Sequence, residues 1–120
     1  MRLFVVLGSC NMLLAVALGA FGAHGLKSRV TAELLTVWQT AVLYHMVHAL
    51  GLLLVGLLAV HLPVKGAGWT LLAGIVLFSG SLYLMVLTGL RPLGIITPLG
   101  GVAFLAGWLL LALAALQLPS

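Results

Sequence analysis

Six charged side chains punctuate the whole 120-residue chain, and their placement constrains it more than any other feature: Arg2, Lys27, Arg29, Glu33, Lys65 and Arg91. Residues 3–26, 34–64, 66–90 and 92–120 are uncharged stretches of 24, 31, 25 and 29 residues. A helix needs about 20 apolar residues to cross a hydrocarbon core roughly 30 Å thick. Each stretch reaches that length, so the chain reads as an all-α, integral membrane four-helix bundle. Its 64% hydrophobic and 5% charged residues, with a mean hydropathy of +1.37, exclude an ordinary soluble domain, where about a quarter of residues are charged. The spans fall at about residues 3–23, 36–62, 69–90 and 98–118 and leave room for only a single transmembrane domain over residues 1–120.

Local signals set the boundaries. Gly25 is suited to end the first span in a left-handed cap. Thr31 is an N-cap candidate, with Glu33 in the first turn where an acid favours the helix dipole. From there the second helix is expected to run to about Leu62, with Trp38 near the headgroups. Pro63 and Gly66-Ala67-Gly68 mark the next turn, and Trp69 is the opposite interfacial anchor. Pro92 and Gly94 form the last turn. Pro98 is expected in the first turn of the fourth span, where its missing N–H costs nothing.

Cys10, the only cysteine, permits no intrachain disulfide and reads as a small thiol packed in the span. Leu7-Gly8-Ser9-Cys10 resembles a lipoprotein cleavage box. The apolar run before it, Leu3 to Leu7, is shorter than a signal core of about 7–15 residues, so an uncleaved first span is expected. The net charge of +4 is spread over helix ends without a basic cluster, which argues for lipid headgroups and against nucleic acid as a partner. Lys27, Arg29 and Arg91 on one side outnumber Arg2 and Lys65 on the other. That bias places the two loops carrying Lys27, Arg29 and Arg91 in the cytoplasm, and the Pro63–Gly68 turn and both termini outside.

Small residues recur every seven positions: Gly8, Ala15 and Gly22; Gly74, Ser81 and Thr88; Gly100, Gly107 and Ala114. A step of seven returns to nearly the same helix face, and small residues let backbones approach where no hydrophobic effect drives association. These stripes are expected to face the inside of a left-handed bundle, or else to mediate dimerisation.

The chemical candidates are intramembrane polar residues. Tyr44, His45 and His48 lie on the second span, with the two histidines three apart and so on one side of a helix. Asn11 is at similar depth in the first span, Ser79 and Ser81 in the third, with Tyr83 a turn away. A single midplane cluster of Asn11, Tyr44, His45, His48, Ser79 and Ser81 is the expectation, because ionisable groups at such depth usually face the bundle interior. Two imidazoles at this spacing could bind a metal or haem, or relay protons; alternatively, neutral histidines hydrogen-bond their neighbours and set helix register. No carboxylate lies beside them to balance a divalent metal, the only acid, Glu33, being interfacial, so no metal site and no cofactor are expected. His24 is interfacial at the end of the first span, and His61 at the far end of the second. Trp108 falls mid-span in the fourth helix, where it either fills the core or meets lipid.

The segments Gly19-Ala20-Phe21-Gly22-Ala23-His24-Gly25-Leu26, Tyr44 to Leu50, Phe78-Ser79-Gly80-Ser81-Leu82-Tyr83 and Ile96-Thr97-Pro98-Leu99-Gly100-Gly101 together resemble the YgdD-like family of small bacterial inner-membrane proteins. The likeness covers essentially the whole chain. It implies four transmembrane helices and residence in the bacterial plasma (inner) membrane, and it implies no reaction, since that family is catalogued as a domain of unknown function. His24 and His48 match its pattern, whereas an amide often replaces His45 there. The resulting expectation is a non-enzymatic scaffold or modulator acting through helix or lipid contacts. Its partners would be the bilayer, a second copy or another membrane protein. A small proton-linked transporter, or a metal or haem protein using His45 and His48, is the alternative.

Overall fold

In a computed structural model, which describes residues 2–119, four helices are long and apolar enough to cross a membrane. Helix α1 spans Arg2–Leu26, α2 Ala32–Leu58, α3 Lys65–Thr88 and α4 Thr97–Ala115, the last entered through a 3-10 turn at Arg91–Ile95. The Thr31 hydroxyl accepts from the Leu34 N–H at 3.2 Å, capping α2, and Glu33 occupies its first turn. Pro98 lies in the first turn of α4. Gly89 ends α3 at φ 73°, the left-handed conformation that favours glycine.

Three boundaries differ from expectation. Gly25 is not a left-handed cap: Gly22–Leu26 widens instead into a π turn that prolongs α1. Helix α2 stops at Leu58 rather than Leu62. Pro63 has no N–H and disfavours helical backbone at the residue before it. The chain therefore unwinds over Ala59–Leu62, through bonds from the His61 and Leu62 N–H groups to the Leu58 carbonyl. Gly66-Ala67-Gly68 is helical rather than turn, because it packs. Ala67 and Gly68 are buried, and a Cβ on Gly68 would sit 2.5 Å from Phe4 Cε1.

Helices α2 and α3 are the inner pair, half-covered by their neighbours, while α1 and α4 flank them and show most of their surface outward. The small-residue stripes close these seams within one chain. Gly8, Ala15 and Gly22 are all buried, and a Cβ on Gly8 would lie 2.8 Å from the Leu53 nitrogen on α2. Gly100, Gly107 and Ala114 are buried against α3, where a Cβ on Gly107 would meet Leu71 at 2.6 Å. The third stripe holds through Gly74 and Ser81 and fails at Thr88, which is exposed.

Two apolar clusters form, one around Phe4, Leu52, Leu71, Ile75 and Phe104, the other around Leu26, Trp38 and Val86. Along α2 and α3 the buried polar side chains His45, His48, Ser79 and Ser81 fall between them. Hydrocarbon offers no water to satisfy those groups, so each must find its partner inside the chain.

Candidate functional site: buried histidines tied between helices

The expected single cluster divides into separate bridges, because α2 has neighbours on both sides. His45 faces α1 and α3. The Asn11 Nδ2–H donates to the Leu7 carbonyl of its own helix at 2.8 Å, which turns Asn11 Oδ1 toward His45 Nε2 at 2.9 Å. An amide oxygen only accepts, so His45 carries its proton on Nε2. Nδ1 then accepts from the Tyr83 hydroxyl, 2.9 Å away. The directional chain is Tyr83 to His45 to Asn11 to Leu7, and it joins three helices.

His48 faces α4. The indole N–H of Trp108 only donates, and it meets His48 Nε2 at 3.0 Å. The imidazole proton therefore sits on Nδ1, which donates to the Tyr44 carbonyl at 2.7 Å. The ring lies flat on Phe104, centroids 3.5 Å apart with 9° between planes. The two histidines are thus opposite tautomers, each neutral, each with both nitrogens engaged. Protonating Nε2 of His48 would set two N–H donors against each other.

The serines form two further bridges. Two positions apart on a helix, they point to opposite sides. Ser79 donates to the Ala41 carbonyl of α2 at 2.8 Å. Ser81 donates to the Phe78 carbonyl at 2.9 Å and meets the Thr97 hydroxyl of α4 at 2.6 Å. Tyr44 contributes only its carbonyl; its ring is 41% exposed beside Phe78 and Phe104. Among the described residues no group of three His, Cys, Asp or Glu side chains is placed to hold a metal ion.

Trp38 is a correction. It is not exposed to headgroups but 1% exposed, its indole N–H bonded to the Leu18 carbonyl at 2.9 Å and its ring against Phe21 and Tyr83. Trp69 is half exposed and edge-on to Phe4, while His24 is exposed in the last turn of α1. At that same end the Glu33 and Arg91 side chains approach to 3.9 Å, both largely solvent-facing, so the pair adds little.

Tyr83, Trp108 and Thr97 complete these bridges, although none stood in the candidate cluster. Trp108 carried a usable signal: an indole N–H at mid-membrane needs an acceptor, and His48 is the one mid-span side chain with a free lone pair on the facing side of α2. His48→Leu should leave that N–H unpaired and lower stability by about 1–2 kcal/mol at most. A double-mutant cycle with Trp108→Phe checks this by unfolding in detergent; strictly additive losses would mean the two side chains are not bonded.

A membrane-spanning four-helix protein whose buried imidazoles cross-link its helices is the class that this fold and site define. The model of the family described as protein of unknown function (DUF423) matches residues 18–101, and the chain belongs to that family. A UPF0382 membrane protein, YwdK of Bacillus subtilis, is 54% identical over 121 residues covering 98% of each chain. UPF0382 membrane proteins of Staphylococcus epidermidis and Staphylococcus aureus are 49% and 47% identical over 119 residues, again covering 98% of each chain. No solved structure matches. The chain is a multi-pass bacterial membrane protein.

Proposed function

We propose that the chain is a non-enzymatic membrane scaffold or modulator, whose intramembrane polar residues serve the bundle rather than a reaction. The observation that carries this reading is saturation. Both nitrogens of His45 and of His48 are engaged. Among the described residues, no buried side-chain nitrogen or oxygen lacks a partner. A metal or haem iron would have to displace Trp108 from His48 or Tyr83 from His45, leaving a donor unpaired in an apolar surrounding. The Tyr83–His45–Asn11 chain also ends on the Leu7 carbonyl, a backbone acceptor with no proton to pass on, which does not suit it to carry protons from one face to the other.

Contacts would be made by the outward faces of α1 and α4, where Leu13, Leu105 and Leu109 are among the most exposed side chains. Lipid is the first partner, and a second copy or another membrane protein would use the same faces. Within the family, the Gly19–Leu26 and Ile96–Gly101 segments support a place among the YgdD-like proteins and a plasma-membrane address.

Elemental analysis and a visible spectrum of tag-free protein test the reading. The expected result is a folded, colourless protein without stoichiometric metal. A haem band or near-stoichiometric metal that disappears in His48→Ala would overturn it.

A further inference from the structure

A groove of about 240 Å³ opens between α1 and α3, over the polar chain of Asn11, His45 and Tyr83. Its rim is apolar: Leu14 and Val76 are 49% and 63% exposed on the outer surface, so it faces hydrocarbon. Its floor, where every buried side-chain nitrogen and oxygen has a partner, keeps hydrogen-bonding capacity to spare. Asn11 Nδ2 has two N–H groups, and the Leu7 carbonyl takes one. The other has no partner among the described residues. Tyr83 commits its proton to His45, which leaves the phenolic oxygen able to accept. Asn11 and Tyr83 are both only partly buried and both line the groove.

Depth restricts what could meet them. Asn11 is nine residues from Arg2, about 14 Å along a helix, which puts it near the middle of a core roughly 30 Å thick. Phospholipid esters stay at the edge of that core, and acyl chains carry no hydrogen-bonding group. An occupant must therefore bring its own oxygens into the hydrocarbon without bringing charge. The two spare functions lie at opposite edges of the imidazole, whose bonds of 2.9 Å on each side keep the Tyr83 oxygen and Asn11 Nδ2 no more than about 10 Å apart. A 1,4-dihydroxy ring carries oxygens on opposite edges and can bond at both ends.

We propose that this groove is a lateral binding site for a lipid-soluble quinol ring, one hydroxyl donating to the Tyr83 oxygen and the other accepting from Asn11 Nδ2. The ring lies against Ile75 and Gly80, and its apolar tail leaves between Leu14 and Val76. The pairing is asymmetric: a quinone has no proton for Tyr83 and keeps only the Asn11 bond. The site therefore prefers the reduced form. This is binding only and goes beyond the scaffold reading; it neither needs nor supplies a redox step.

Thermal unfolding in nanodiscs tests it with three probes: a decyl-1,4-benzoquinol held reduced, its quinone, and its dimethyl ether. A ligand that binds the folded state raises the melting temperature in a dose-dependent way. The expected order is a clear rise with the quinol, a smaller one with the quinone and none with the diether. Gly80→Leu supplies the control, because a Cβ there would meet only the Ile75 carbonyl at 3.9 Å. That variant is expected to fold at least as stably, fill the groove and lose the quinol response; Gly80→Ala, with less bulk, should weaken it. Equal shifts for quinol and diether would overturn the site, since they would report partition into the bilayer. So would a response that survives in Gly80→Leu, or no response in wild type, which would leave only water or acyl chains in the groove. None of these outcomes bears on the metal and haem measurement, so the two readings fail separately.

Discussion

Trp38→Ala is expected to remove about 3–5 kcal/mol of stability, the range for emptying a large aromatic site in a packed interior. The indole is 1% exposed and sits where α1 has no side chain: a Cβ on Gly22 would lie 2.5 Å from Trp38 Cδ1. Phe21 and Tyr83 close on its ring with centroids 5.8 and 4.8 Å away. Truncation would leave a void next to a glycine, where nothing nearby can extend to fill it. Trp38→Phe is the milder truncation, since it keeps an aromatic ring and loses the N–H bond to Leu18 with part of the indole's volume. Its cost should be about 1 kcal/mol. Reversible unfolding of both variants in the same detergent checks the ratio. Near-wild-type stability for the alanine variant would return Trp38 to the role of a headgroup anchor, which holds a helix at the interface without filling the bundle.

Two adjacent glycines should respond in opposite directions. A Cβ on Gly100 would fall 2.7 Å from Leu77 C and Phe78 Cα, and closer still to the Phe78 nitrogen. These are backbone atoms of α3, which cannot swing aside as a side chain can. Gly100→Ala must therefore push α4 away from α3, and it should cost about 1–3 kcal/mol or more. A Cβ on Gly101 meets nothing nearer than Phe78 Cδ2 at 4.0 Å. Gly101→Ala should instead be neutral or stabilising by up to about 1 kcal/mol, the helix-propensity difference between the two residues. The sign of each change in a denaturation series decides the matter. If both variants lose stability alike, the close approach at Gly100 is not what holds these helices together.

The glycine result shows where sequence reading is strong. Period-seven spacing places Gly100 and Gly107 on one face of a helix whatever that helix packs against, and both are buried. It is silent on Gly101, and it cannot choose between packing within one chain and packing between two. The histidines mark the corresponding limit. Spacing of three puts His45 and His48 on the same side of α2, and burial of both at 2% and 4% exposure agrees with that. Yet a helix lying between neighbours has two inner flanks, and about 60° of rotation is enough to send one ring to Asn11 and Tyr83 and the other to Trp108.

The sequence by itself determined that this chain spans a membrane four times, which helix ends are capped by Thr31 and opened by Pro98, and, Thr88 excepted, which small residues of the period-seven stripes face inward. Those properties follow from length, charge placement and local chemistry, all of which act within one helix. Which polar groups meet was decided only by the tertiary structure, and so was the removal of Trp38 from the headgroups to the core. A hydrogen bond needs its partners within about 3 Å. Helix rotation and crossing alone bring residues 34 to 60 positions apart to that distance.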